Sequence, residues 1–214
     1  MRNRPAYPAA GGGSGPRIAM AVNSSEDPRV LGTLGMEGVA LVLWQRGLPA
    51  ELCAALDALA GHRLPKVRHR LIPGQVKAAV LAACDRAGTG ECAERLASEV
   101  AALAAHAQAA LAAPLLDLRL GPVADGVTTG WQPGAFTGRF FCTLLGPGVE
   151  FGPSDRGGPP KHIRCMSRGE VGIFRGLLWP GPDLPAILHR VPRQAPGEPQ
   201  LTLLIEPVDD GGRC

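Results

Sequence analysis

His189 is the strongest candidate for a metal ligand in this chain. It lies in the segment ILHRVP, which follows a proline-rich loop in the last third of the sequence. On a β-strand, side chains alternate between the two faces, so His189 would share a face with Ile187 and Val191 and point into a sheet interior. A buried imidazole needs a hydrogen-bond partner or a metal, because leaving it unpaired costs roughly 1–3 kcal/mol. The sequence leaves both interpretations open.

Further metal ligands are hard to find around His189. An iron site of the 2-His-1-carboxylate type needs two more donors, yet the chain contains no His-x-Asp or His-x-Glu pair. His162 and Cys165 are close enough in sequence to bind zinc together, or they belong to a loop and a strand edge. Glu150 is either a carboxylate ligand or a polar turn residue. We expect His189 to contact at least one of four side chains: Gln132, Arg139, Glu150 and His162.

Arginine residues in the C-terminal half predict a different chemistry. Arg139, Arg175 and Arg190 lie in three predicted strands, and guanidinium groups form charge-assisted hydrogen bonds with carboxylates and phosphates. Together with Glu150 they form the predicted binding site for an anionic small molecule. A nucleophile is not indicated, because Ser167 lacks a G-x-S-x-G setting and no cysteine has a histidine partner fixed by the sequence.

Composition and charge restrict the class of partner. The net charge is only +3 and no stretch combines a dense basic run with aromatic residues, which argues against nucleic acid. The most basic segment, residues 62–70 (HRLPKVRHR), is predicted to be a solvated loop, with a phosphate site as the alternative. No apolar run is long enough to predict a membrane span. Six cysteines without a CxxC pair or a secretory signal predict reduced thiols and a cytoplasmic location. The oligomeric state is not predicted.

The N-terminal half is predicted to be mainly helical. Residues 1–30 are rich in Gly and Pro and are expected to form a disordered leader. Residues 38–44 (GVALVLW) are predicted to be a buried strand. Apolar residues at three- and four-residue steps predict helices over 49–61, 74–86 and 90–113. The strand and these helices form a predicted lobe over residues 36–113.

After Pro114 the apolar period changes from 3.6 to 2, which indicates strands. Short strands separated by Gly/Pro turns are typical of a sandwich or barrel. Five are predicted, over residues 115–121, 138–145, 170–175, 185–191 and 200–206. The predicted fold is therefore α+β, with the helical lobe packed on a C-terminal jelly-roll-like domain over residues 114–208 and a tail over 209–214. Such a domain is also called cupin-like or a double-stranded β-helix.

The order of these segments resembles a known family, the bacterial domain of unknown function numbered 1826. The resemblance runs from about Gly38 to Pro207 and covers most of the chain. It rests on six segments: residues 38–49 (GVALVLWQRGLP), 139–143 (RFFCT), 146–150 (GPGVE), 168–176 (RGEVGIFRG), 189–192 (HRVP) and 201–207 (LTLLIEP). The family has no settled biochemical function.

The resemblance also implies what this chain lacks. Typical members carry a His-x-Asp pair about ten residues before the position of Cys142, and an arginine at the start of the last strand. With His189, those residues would resemble the layout of iron and 2-oxoglutarate oxygenases. This chain has Gln132-Pro133-Gly134 at the position of the His-x-Asp pair and Gln200 at the position of the arginine. The resemblance thus predicts an uncharacterised protein whose jelly-roll-like domain binds a small molecule or a metal, iron or zinc. A divergent oxygenase is the alternative, and 2-oxoglutarate is not favoured as its cofactor.

Overall fold

A seven-stranded sheet organises the molecule, which is described by a computed structural model over residues 17–59, 61–121, 130–154, 158–192 and 198–208. The strand order is β2-β3-β9-β6-β12-β5-β4, with β2 parallel to β3 and the other pairs antiparallel. The strands are β2 (Ala21–Ser25), β3 (Val39–Trp44), β4 (Val67–Leu71), β5 (Leu116–Gly121), β6 (Gly138–Leu145), β9 (Val171–Arg175) and β12 (Leu201–Pro207).

Helices cover one face of this large sheet. They are α1 (Ala50–Asp57), α2 (Pro73–Ala87) and α3 (Cys92–Leu111), with 3-10 helices at Pro28–Gly35 and Gly61–Arg63. The buried side of α3, including Leu96, Val100 and Leu103, shares a core with alternate residues of the strands, such as Phe140 and Leu118. In the described ranges no helix is both long and apolar enough to cross a bilayer.

A three-stranded sheet covers part of the opposite face. Its order is β11 (Ile187–Arg190), β7 (Glu150–Pro153) and β8 (Arg164–Cys165). A second apolar core lies between the two sheets and contains residues of both, for example Phe141 and Phe174 from the large sheet and Phe151 from the small one. Two facing, mainly antiparallel sheets with helices outside the larger one form an α+β, jelly-roll-like fold, as predicted.

The N-terminal leader requires a correction. Residues 1–16 lie outside the described part of the chain, but residues 17–30, predicted to be disordered, form β1 (Arg17–Ala19), β2 and the start of a 3-10 helix. β1 pairs in parallel with β10 (Asp183–Pro185), and β2 pairs with β3. Neighbouring strands supply the backbone partners that the local composition does not reveal.

The predicted elements otherwise agree well with the structure. All five strands predicted after Pro114 are present, and α3 matches the predicted long helix within two residues at each end. The basic segment 62–70 is not a loop throughout, because β4 forms an edge strand within it. The predicted boundary at 113/114 does not coincide with a break in the sheet, since β3 and β4 join strands from beyond it. The predicted tail over 209–214 lies outside the described residues.

Candidate functional site

His189 points into the space between the two sheets, as the alternation on its strand predicts. His189 is 1% exposed, and its imidazole ring lies among three phenylalanine rings. The ring centroid is 4.7 Å from that of Phe174, 5.5 Å from that of Phe141 and 5.7 Å from that of Phe136. Of the four expected contacts, the hydrogen-bonded one is Gln132, which pairs with His189 through two backbone hydrogen bonds of 3.1 and 3.3 Å.

Both imidazole nitrogens of His189 are buried and have no hydrogen-bond partner among the described residues. Burial, together with a smaller effect of the positive charge of Arg139, lowers the pKa of this imidazole to about 3. His189 is therefore neutral at physiological pH, with one nitrogen that accepts a hydrogen bond and one that donates. A neutral imidazole is also the form that binds metals.

The donor set around His189 does not fit a metal ion within the described residues. No group of three His, Cys, Asp or Glu residues in that part of the chain is placed to hold one. The rings nearest to the imidazole belong to phenylalanines, which supply no ligand atom. His162 and Cys165, the other proposed pair, are both exposed, and the Cys165 thiol lies 3.5 Å from the carbonyl oxygen of Gly148.

Strand register divides the inter-sheet face of the large sheet into a charged half and an apolar half. Residues paired directly across neighbouring strands share a face. One row across the sheet therefore reads Arg70, Asp117, Glu206, Arg139, Phe174 and Leu41. The next row reads Arg68, Arg119, Leu204, Phe141, Gly172 and Leu43. The charged half lies on β4, β5 and β12, and the apolar half lies on β9 and β3 beneath the small sheet.

Arg139 on β6 lies where the two halves meet. Its guanidinium lies over the ring of Phe136, 4.0 Å from the centroid, and pairs with Glu206 through its Nε and Nη2 atoms at 2.8 and 2.7 Å. The two side chains are only 14% and 16% exposed. Burial lowers the pKa of Arg139, while the charge of Glu206 opposes this shift. Glu206 occupies two of the five guanidinium N–H groups, so others remain for a ligand.

The charged half carries an excess of positive charge. Arg119 donates to Asp117 at 2.7 Å and lies 3.5 Å from Glu206, which links it to Arg139. The hydrogen bond to Asp117 is the main reason that the pKa of Arg119 is raised. These four residues are neutral as a group, and the exposed Arg68 and Arg70 on β4 add two positive charges.

Arg175 does not belong to the inter-sheet space, although the sequence placed it in the binding site. Phe174 points toward the small sheet, so its neighbour Arg175 points to the other face, where it is buried. There it donates to the carbonyl oxygens of Leu34 and Met36 and lies 3.8 Å from Asp183. The Arg175 N–H groups therefore form hydrogen bonds with an N-terminal segment of the chain.

Glu150 and Arg190 also lie away from His189. They face each other in register on β7 and β11, and the Arg190 Nε lies 2.5 Å from the Glu150 carboxylate. His189 and Arg190 are adjacent on one strand and so point to opposite faces. Arg190 also lies over the ring of Trp131, 4.5 Å from its centroid. Of the four alternatives for a contact with His189, Glu150 therefore lies on the opposite face of the small sheet.

Several residues of this region escape sequence analysis. The alternation Leu116-Asp117-Leu118-Arg119-Leu120 indicates a half-buried strand. It does not predict that the polar face of this strand lies on the side of a second sheet. The phenylalanines around His189 come from three separate segments. Only the pairing of β5 with β12 and of β12 with β6 brings Arg119 and Arg139 to the same glutamate.

Comparison with protein families gives one match. The family described as "Protein of unknown function (DUF1826)" matches residues 25–205. No curated protein matches the chain.

Solved structures similar to this chain include three oxygenases. Dioxygenase for auxin oxidation 1 from Arabidopsis thaliana, in its 2-oxoglutarate complex, shares 13% identity, with 89% of this chain and 94% of that chain covered and a TM-score of 0.49. The rice dioxygenase for auxin oxidation shares 16%, with 89% and 84% covered and a TM-score of 0.44. A 2OG-Fe(II) oxygenase family oxidoreductase from Burkholderia pseudomallei shares 14%, with 92% and 99% covered and a TM-score of 0.43. At these values no residue role passes from them to this chain.

Proposed function

The chain belongs to the DUF1826 family, and we propose that it is a binding protein for a small organic anion, held between its two sheets at Arg139. The observation that carries this proposal is the position of Arg139 at the boundary between a charged and an apolar half-face. A guanidinium in a half-buried, water-poor setting binds a carboxylate more strongly than one on the surface. The aromatic rings beside Arg139 can pack against the apolar part of such a ligand.

The chemistry of the ligand follows from these neighbours. An organic carboxylate would accept hydrogen bonds from the free N–H groups of Arg139, while its apolar part would lie against Phe136. The neutral His189, whose two ring nitrogens have no hydrogen-bond partner in the described part of the chain, would form a hydrogen bond with a polar group of the same ligand. Satisfying these buried atoms favours binding, because each costs free energy while unpaired.

A second candidate function is a divergent non-haem iron, 2-oxoglutarate-dependent oxygenase. The observation that favours it is the neutral imidazole of His189 between the sheets, which has no hydrogen-bond partner within the described ranges. The incomplete donor set of the described residues counts against it. Metal analysis of protein purified without a histidine tag separates the two functions. Stoichiometric iron or zinc that is lost in His189→Gln would establish the metal site and overturn the metal-free proposal.

Ligand binding is tested with a panel of carboxylates that includes phenylacetate and 2-oxoglutarate. At a concentration of 100 Kd, a ligand specific for the folded state adds about 2.7 kcal/mol to the free energy of unfolding. We expect at least one carboxylate to raise the melting temperature, and titration calorimetry should give one site. The double variant R139Q/E206Q, which removes both charges together, should abolish this binding.

The matched control is the variant E150Q/R190Q. It removes another arginine–glutamate pair between neighbouring strands, on the outer face of the small sheet. It should bind the same carboxylate with unchanged affinity. If both double variants weaken binding equally, or if no carboxylate binds the unmodified chain, the proposal is wrong.

A cytoplasmic location is also part of the proposal. It is supported by the cysteines, of which Cys84, Cys92 and Cys142 are buried as free thiols, the state that a reducing compartment maintains. Cell fractionation of the native source tests it directly.

A further inference from the structure

A second basic cluster lies on β4 and β5, at the far edge of the same sheet face. On β4, Arg68 and Arg70 share the face of Arg119, and Lys66, just before the strand, continues this alternation. Arg68 stands directly opposite Arg119 in the ladder. Two like charges directly opposite each other on neighbouring strands destabilise a sheet. Asp117 and Glu206 lie beside Arg119, so Arg68 is the member of the pair that an added anion would compensate.

Protein groups compensate only part of this charge. Arg70 faces Asp117 across the ladder, and the same carboxylate accepts a hydrogen bond from Arg119. Lys66 and Arg68 are exposed and have no ion-pair partner among the described residues. The Arg119 Nε is buried and lacks a hydrogen-bond partner in the described ranges, although the side chain as a whole is 31% exposed.

A glycine and a second atom without a hydrogen-bond partner among the described residues lie beside this cluster. Gly121, opposite Lys66, carries no side chain, and a Cβ placed there would meet only Lys66, at 3.7 Å. On the other side of Gly121, β12 contributes Thr202, whose hydroxyl oxygen is buried and finds no hydrogen-bond partner among the residues that the structure describes. Two positively charged donors, one buried N–H and one buried hydroxyl thus lie on the same face of neighbouring strands.

We propose that Lys66, Arg68 and Arg119 form an anion site that binds one oxyanion group, a phosphate or a carboxylate. The site goes beyond the proposed function, because it lies two strands from Arg139, about 10 Å across the sheet. It also gives a role to the basic segment HRLPKVRHR, whose alternate residues on β4 all point to one face. Arg68 and Arg119 would each donate hydrogen bonds from their guanidinium N–H groups to the oxyanion, and the Lys66 ammonium would attract it as a point charge.

The site is tested by calorimetric titration of the full chain with inorganic phosphate and, separately, with acetate at low ionic strength. We expect one site that R68Q weakens about tenfold, since a charge-assisted hydrogen bond is lost. R119K keeps the charge but lacks the buried Nε–H, and should weaken binding about threefold or more. Stronger binding of phosphate than acetate assigns the site to phosphorylated ligands, and the reverse assigns it to carboxylates.

The matched control is R70Q, because Arg70 is on the same strand and face but stands opposite Asp117. It should change the dissociation constant by less than about twofold. Equal weakening by R68Q and R70Q would mean attraction to diffuse positive charge and would overturn the proposal, as would absence of binding of both anions. R68Q should leave binding of the organic carboxylate at Arg139 unchanged, because Arg139 pairs with Glu206 and not with Arg68, so this site and the Arg139 site can fail independently.

Discussion

At the scale of the residue, His189 makes stability depend on pH in a direction that can be calculated. Its pKa in the folded chain is about 3, against an ordinary value of 6.5, so the unfolded chain takes up the proton first as the pH falls. The contribution of His189 is therefore fully present above about pH 6.5 and is lost progressively as the pH falls toward 3. By pH 5 the free energy of unfolding should have fallen by about 2 kcal/mol on this account.

The variant His189→Phe isolates this contribution. Phenylalanine fits the aromatic surroundings and does not titrate, so the variant should lose about 2 kcal/mol less than the unmodified chain between pH 7.5 and pH 5. Urea unfolding at both pH values measures the difference. His162→Gln, which replaces an exposed histidine, should keep the pH dependence of the unmodified chain. An unchanged pH dependence in His189→Phe would show that folding does not lower the pKa of this imidazole.

The same residue shows how far sequence analysis reaches into a site. The face of His189 could be predicted, because alternation on a strand is a local property. Its neighbours could not, since Phe136, Phe141 and Phe174 reach it through long-range pairing. Residue type alone also does not predict which face of a sheet an arginine occupies. Arg175, predicted to be in the binding site, therefore turned out to lie on the opposite face.

At the scale of the element, the loop before β6 is held against the end of β9 without space for a side chain. A Cβ on Gly176 would lie 1.8 Å from the carbonyl oxygen of Phe136. Gly176→Ala should therefore push the Phe136 segment away from Arg139 and His189. We expect a loss of about 1–3 kcal/mol in the free energy of unfolding, as for overpacked cores, together with weaker carboxylate binding.

Gly32 provides the control for this substitution. A Cβ at Gly32 meets nothing within 4 Å, so Gly32→Ala should change the free energy of unfolding by no more than about 0.5 kcal/mol. Urea unfolding of both variants, with calorimetry of the bound carboxylate, checks the comparison. If Gly176→Ala is as stable as Gly32→Ala, the close approach of the two segments is not maintained in solution.

Elements with a strong apolar period could be predicted from the sequence, and those that depend on neighbours could not. The stripe of Leu96, Val100 and Leu103 defines α3, and alternating leucines define β5. In contrast, β4 (VRHRL) buries mainly Val67, as expected of an edge strand, and resembles a polar loop in sequence. Edge strands commonly carry charged side chains that oppose further pairing.

At the scale of the whole molecule, the first described residues close both the sheet and the inter-sheet core. β2 pairs with all of β3 except Ala40, and Ala19 is fully buried. Asp183 accepts hydrogen bonds from Arg17 and from the backbone N–H of Gly38. The bond from Gly38 is the main reason that the pKa of Asp183 is lowered. A segment that appears dispensable from its composition thus joins strands that are more than 140 residues apart.

Truncation tests this role of the N-terminal strands. A chain that begins at Glu26 loses β1 and β2, exposes the backbone edge of β3 and uncovers Leu41 and Leu43, which are fully buried in the intact chain. We expect its free energy of unfolding to be lower by about 3 kcal/mol or more than that of a chain beginning at Arg17, from the lost apolar burial and the unpaired edge. Urea unfolding followed by circular dichroism measures both chains. A difference below about 1 kcal/mol would mean that β3 is a stable edge without β2, and that the disordered leader predicted from composition extends to Ser25 after all.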